Sequence, residues 1–265
     1  MLKTFDKLVM SKNNISVKQV PFYGINQVMA VVRSGRRKVF EVIATTEGLK
    51  KLRSKGLKSS VAVKEVAIAH INNAMGLSGV NHQGAVCLAS VVKDVDTEKA
   101  IESANFIVIL NNITDIGNIG SIIRSSLAFG AGLIIANKFG MPNILNNGDV
   151  CKASAGASEL ANVCQLASLS KWIGILKTKG FTIAGLDGKG AINITNLATN
   201  ACAAAKGKPC KIALIVGSEG SGIEDKLLPL CNFICKIPIS KLTESLNASV
   251  AVSVAMYEIS KIFNK

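Results

Sequence analysis

Two short runs constrain this chain most: Phe106–Leu110 (FIVIL) and Lys211–Val216 (KIALIV). Both are almost unbroken aliphatic stretches with no apolar–polar alternation. A strand of that kind must be covered on both faces, as in a parallel sheet wrapped by helices. The neighbouring segments fit such a sheet. Gly132–Ala136, Thr182–Leu186 and Phe233–Ile237 read as strands, and Ile119–Phe129 reads as a helix. A further helix opens on Ser168 and closes on Gly180. Leu246, Val250, Val254 and Tyr257 fall at helical spacing, so they share one face of a final helix. The expectation for residues 106–265 is a doubly wound α/β domain with its site at the carboxyl ends of the strands.

Upstream the pattern changes. Residues 1–20 are polar and basic and read as a flexible tail. Residues 21–92 read as a small α/β unit. Within it, helices are expected at Ile25–Arg33, Thr46–Lys55 and Val63–Ala74, and strands at Val39–Ala44 and Ala85–Val92. Residues 93–105 (KDVDTEKAIESAN) are the most charged stretch and read as a linker. Charge follows this division. Of a net +14, residues 1–64 carry +11, from 14 basic and 3 acidic side chains. That asymmetry implies an anionic partner for the N-terminal part. Arginine is scarce: after Arg33, Arg36, Arg37 and Arg53 there is only Arg124. A lone arginine among lysines points to a task that needs a planar, multi-donor cation.

No apolar run is long enough for a transmembrane helix, and the first residues lack a signal-peptide core. The seven cysteines read as reduced thiols, and a cytoplasmic location is expected. No metal is expected: Cys231 and Cys235 have no second pair, and His70 and His82 are far away in sequence. The sequence also lacks a phosphate-binding P-loop, a nucleophile elbow, a zinc-protease helix and a dinucleotide fingerprint after a strand.

Three strand ends lead into unusual loops. Leu110 runs into NNITDIGNIGSIIRS, which holds Asn118 and Arg124. These lie about 1.7 helical turns apart, so they face one cleft only if the helix begins after Asn118. Val216 runs into Gly217-Ser-Glu219-Gly-Ser-Gly222, whose glycines let the backbone approach a ligand. Ile237-Pro238 runs through a polar loop to Ser245-Leu246-Asn247, which opens the last helix. Taken singly, each has a plain structural explanation as a cap or a turn.

In this order and spacing, the three loops resemble motifs 1 to 3 of the SpoU (TrmH-type) RNA ribose 2′-O-methyltransferases of the SPOUT superfamily. The matching residues are N-x-G-x3-R at Asn118–Arg124, G-S-E-G-x-G at Gly217–Gly222, and I-P-I…S-L-N-A-S-V-A at Ile237–Ala251. Phe22-Tyr-Gly-Ile25, Asn81-His82-Gln-Gly84-Ala85 and Lys152-Ala-Ser-Ala-Gly-Ala157…Glu159 are similar to the bacterial 23S rRNA guanosine 2′-O-methyltransferase subgroup.

The resemblance implies a C-terminal α/β domain with a deep trefoil knot, an exception to un-knotted folding. It also implies a ribosomal-protein-like substrate-binding domain before it. The implied cofactor is S-adenosylmethionine, held at Gly217, Ile237 and Leu246. The implied catalytic and RNA-contacting residues are Asn118, Arg124, Glu219, Ser245 and Asn247. The implied partners are RNA, foremost 23S rRNA, and a second copy of the chain in a homodimer. The family proposal makes Arg124 a base. A guanidinium stays protonated above about pH 12, so an orienting role through its forked donors is the softer reading. The cluster Arg33, Arg36, Arg37 and Lys38 is expected to clamp RNA, and His82 to be structural or an RNA contact. Two alternatives remain: a tRNA or resistance-type rRNA 2′-O-methyltransferase of the same family, and a non-catalytic RNA-binding SPOUT relative.

Overall fold

The structure, a computed structural model, describes residues 19–74 and 76–263. Most of the expected basic tail lies outside the described residues, but Gln19 and Val20 already belong to a strand. The elements run as follows. First come β1 (Gln19–Tyr23), α1 (Ile25–Ser34), β2 (Val39–Ala44), α2 (Thr46–Ser54), β3 (Lys64–Glu65), α3 (Ile68–Ala74) and β4 (Ala85–Ser90). Then come α4 (Thr97–Ser103), β5 (Phe106–Leu110), α5 (Ile116–Ala128), β6 (Leu133–Asn137) and α6 (Gly148–Ala153). Next are β7 (Val163–Leu166), α7 (Leu169–Thr178), β8 (Thr182–Leu186), β9 (Ile192–Asn193) and α8 (Ile194–Ala204). Last are β10 (Ile212–Val216), β11 (Phe233–Lys236) and α9 (Ala248–Ser260).

The chain forms two compact units, and the division departs from the expected one. Leu145–Leu160 belongs with the N-terminal residues up to Lys93, and Asp94–Ile144 with Ala161 onward forms the second unit. The stretch expected as a linker contains α4, whose Asp96 carboxylate accepts from the Lys99 amide at 3.2 Å and whose Ala100 and Ile101 are buried.

In the N-terminal unit the sheet order is β1-β4-β2-β3. Its core includes Phe22, Val28, Leu52 and Cys87, with Cys151 contributed by α6. The helix expected over Val63–Ala74 is instead the short β3, paired with β2, followed by α3 from Ile68. Arg37 decides how segment 145–160 is held. Its guanidinium is buried, donates to the Glu159 carboxylate at 2.7 and 2.8 Å, and stacks 4.5 Å from the Phe22 ring centroid. It also donates to the Ser90 carbonyl at 2.8 Å and the Asn146 side chain at 3.0 Å. Arg37 is therefore unavailable to clamp RNA: a buried, fully paired guanidinium is a structural tie. His82 is structural too. Its Nδ1 accepts from the Gly84 amide at 3.1 Å, which leaves Nε2 as the donor to Asn72 at 2.9 Å. Burial, with Lys152 nearby, pushes its pKa down.

The second unit is built on a seven-stranded sheet, β7-β6-β5-β10-β8-β11-β9, in which every pairing is parallel. All five residues of β5 and all five of β10 are buried, as their continuous apolar character requires. The core around them includes Ile107, Ile109, Leu133, Ile173, Leu176 and Ile215. Strand β10 enters between β5 and β8 after both are in place along the chain. That switch in strand order opens a crevice at the carboxyl edge.

Candidate active site

The loops after β8, β10 and β11 surround a cleft of about 480 Å³. Gly217, Ile237 and Leu246, the three expected cofactor-binding residues, all line it, as do Glu219, Ser245 and Asn247. The Gly-rich loop is folded back on itself: Ser218 and Gly222 exchange amide–carbonyl bonds at 3.1 and 3.0 Å. A Cβ on Gly217 would meet the Gly222 carbonyl at 2.0 Å, so no other residue fits there. Gly222 closes the turn at φ +66.

Glu219 is the hub. Its Oε1 accepts from Asn118 Nδ2 at 2.6 Å and from Asn247 Nδ2 at 3.0 Å, and Asn247 also donates to Asn118 Oδ1 at 3.1 Å. Asn247 does two jobs. Its Oδ1 caps α9 by accepting from the Ser249 and Val250 amides at 3.0 and 3.3 Å. Its amide hydrogens thus point back to Glu219 and Asn118, so one short side chain joins motif 3 to motifs 1 and 2. Among the described residues no hydrogen bond engages Glu219 Oε2, which leaves a carboxylate oxygen for a ligand.

Arg124 does not join them. Helix α5 starts at Ile116, capped by Asp115, whose carboxylate accepts from the Asn118 amide at 2.7 Å. Asn118 is therefore inside the helix, and a residue six further on points away from it. Arg124 is exposed, lines neither cleft and pairs with no described residue. The condition for both to face one cleft of the same chain fails.

Several site features had no sequence reading. A second cleft of about 400 Å³ opens between the β5 and β10 loops, and Asn112, Thr114, Asp115 and Ser221 help to line it. It shares Ser218 and Glu219 with the first. Buried Asn111 accepts from the Glu224 amide at 2.9 Å and donates to Asn137 at 3.3 Å, joining the ends of β5, β6 and β10. Asn112 takes a left-handed φ of 56 and donates to the Glu224 carboxylate. Lys226, 2.7 Å from that carboxylate, holds its pKa below the usual range, with Asn112 adding to the effect. Asp187 lines the first cleft directly after β8. The Asn111-Asn112 pair and the Asp187-Gly188 turn, each directly after an apolar strand, were the available signals.

The expected helix face also turns out differently. Leu246 precedes the Asn247 cap, while Val250, Val254 and Tyr257 form an outward face, 50%, 38% and 52% exposed. The inward face is Val252, Ala255, Met256 and Ile259. Helix α9 packs on α5 through Ser253–Ser125 at 2.8 Å and Tyr257–Phe129 at 6.0 Å between ring centroids.

Known proteins match this arrangement. The model of the SpoU rRNA Methylase family matches residues 105–257. A protein of Staphylococcus aureus (strain MSSA476), provisionally named a TrmH family tRNA/rRNA methyltransferase, is 30% identical over 243 residues, covering 85% of this chain and 93% of its own. Among solved structures, the SpoU methyltransferase AviRb from Streptomyces viridochromogenes, in complex with AdoMet, superposes with a TM-score of 0.74 at 21% identity, covering 97% and 96% of the two chains. An RNA 2′-O ribose methyltransferase superposes equally well, at 17% identity over 98% and 95%. The three loops, their joint cleft and these matches agree: the chain belongs to the SpoU/TrmH family of RNA methyltransferases.

Proposed function

We propose that the protein is an S-adenosylmethionine-dependent RNA methyltransferase that modifies a ribose 2′-hydroxyl, with a guanosine of 23S rRNA as its target. The observation that carries this is the pair of adjoining clefts with Glu219 and Ser218 in their common wall.

The first cleft suits the cofactor. Its volume is in the range of small-molecule sites, and Leu186, Val216, Ile237 and Leu246 give it apolar walls. Carboxylates of Asp187, Glu219 and Glu244 line it too, matching a cationic ligand. Gly217, Ile237 and Leu246 would hold the group. When bound, S-adenosylmethionine supplies an electrophilic methyl on a sulfonium. The second cleft, lined by Asn, Thr, Ser and Asp side chains, offers the polar contacts a ribose needs. Asn118, bonded to Glu219, and Asn247 fix that wall, and Ser245 lines the first cleft beside them.

Arg124 enters from a second copy. Its helix α5 and the neighbouring α9 carry an outward apolar set, Leu127, Val250, Val254 and Tyr257. Burying that set in a homodimer places Arg124 among residues of the partner. There its forked donors orient the 2′-hydroxyl and stabilise the negative charge that builds on its oxygen while the proton passes to solvent water, which a lysine would do poorly. The deep trefoil knot belongs to the same reading, supported by the late entry of β10 between β5 and β8. The N-terminal unit captures RNA through exposed Arg33, Arg36, Lys38 and Lys55.

The test is methyl transfer to ribosomal RNA followed by alkaline hydrolysis. A 2′-O-methyl group removes the hydroxyl that attacks the adjacent phosphate, so one position in 23S rRNA becomes resistant. A methyl on a base, or none, contradicts the proposal. The alternative tRNA substrate is read out by running the same assay on tRNA.

A further inference from the structure

The loop after β6 carries Lys138 and Phe139, neither of which belongs to the three motifs. Phe139 is 68% exposed, more than Tyr257 on the outer face of α9. A single exposed aromatic is ordinary in itself. Its setting is less so. Strand β6 is parallel to β5, so the loop that follows it lies on the sheet edge from which both clefts open. The loop is held at its base. Gln165 Nε2 donates to the Asn137 and Pro142 carbonyls at 3.2 and 3.0 Å, its Oε1 accepts from the Ile144 amide at 2.8 Å, and the Lys138 amide donates to the Leu166 carbonyl at 3.0 Å. Gly140, at φ +78, turns the chain immediately after Phe139. The loop is also tied to the second cleft: Asn137 Oδ1 accepts from the amide of Asn112, a cleft residue, at 3.1 Å.

A rigidly based loop thus presents a bare aromatic ring next to an exposed lysine, on the edge where the acceptor site opens. We infer that Phe139 is a stacking platform for an unpaired RNA base flanking the methylated nucleotide, with Lys138 taking an adjoining phosphate. Unpaired bases stack on aromatic faces, and backbone phosphates favour a nearby cation. The inference rests on the proposed RNA substrate and adds to it a specificity element outside the family motifs.

The test compares Phe139→Ala, Phe139→Trp and Phe139→Leu in the full chain. The readouts are methyl transfer to 23S rRNA, calorimetric binding of S-adenosylmethionine and the oligomeric state in solution. Phe139→Ala should raise KM for RNA on the order of tenfold, the scale of one lost stacking contact. Its kcat at saturating RNA and its cofactor affinity should stay within about twofold. Phe139→Trp should restore KM, and Phe139→Leu should not. An unchanged KM in Phe139→Ala, with wild type active, overturns the platform and leaves the RNA methyltransferase reading intact. Rescue by Leu equal to that by Trp overturns stacking, and a changed oligomeric state shows a protein contact instead. If wild type transfers no methyl to any RNA, the inference falls with the reading beneath it.

Discussion

The arginines of the N-terminal unit and the one arginine of the C-terminal unit are used in opposite ways. Arg37 is buried against Glu159, and Arg53 donates to the carbonyls of Leu57 and Val61 at 3.1 and 3.2 Å. Arg33 donates to the Lys55 carbonyl, and Arg36 to that of Glu159 at 3.2 Å. All four spend guanidinium hydrogens on their own chain. Arg124 is exposed and spends none on any described residue. The same fork is bonded to its own chain in one unit and engages no described residue in the other. A basic cluster in a sequence is therefore two things at once, and only burial separates the tie from the contact.

The comparison can be broken at either end. The largest effect is expected at the tie. Glu159→Ala leaves Arg37 buried and unpaired and should cost about 3–5 kcal/mol, seen as a lower denaturant midpoint. Pairing Arg37→Met with Glu159→Leu should recover much of that loss. If Glu159→Ala is neutral, Arg37 is not the tie described. At the other end, Arg124→Lys should leave the denaturant midpoint unchanged and lower methyl transfer on the order of a hundredfold, with cofactor affinity retained. Near-wild-type turnover would mean that a point charge suffices there. A smaller effect separates capture from structure inside the basic cluster. Arg36→Ala with Lys38→Ala should weaken RNA binding and reduce the slope of log affinity against log salt by about one per lost phosphate contact, without unfolding the unit. An unchanged slope would remove these side chains from the RNA surface.

How much of this was legible in the sequence depends on how local its cause is. Strands β5 and β10 were plain, because continuous apolar character records coverage on both faces. The motif residues Asn118, Glu219, Ser245 and Asn247, with Gly217, Ile237 and Leu246, do meet around one site. The sequence pattern starts α5 three residues late, because Gly117 and Asn118 look like loop although Asp115 is an ordinary cap. In the β3–α3 region two short elements mimic one helix. Two features were out of reach: the partnership of Arg37 with Glu159, 122 residues apart, and the return of segment 145–160 to the N-terminal unit. Both are set by long-range packing, which leaves no local pattern.

The central claim is that Arg124 acts in the site of a second copy. It is tested by mixing two inactive variants, Arg124→Ala and Glu219→Ala, as a purified heterodimer. If Arg124 works across the interface, one of the two sites holds both native residues, and the heterodimer should regain about half of wild-type activity. If Arg124 works within its own chain, each site lacks one residue, and a heterodimer as inactive as its parents would contradict the account.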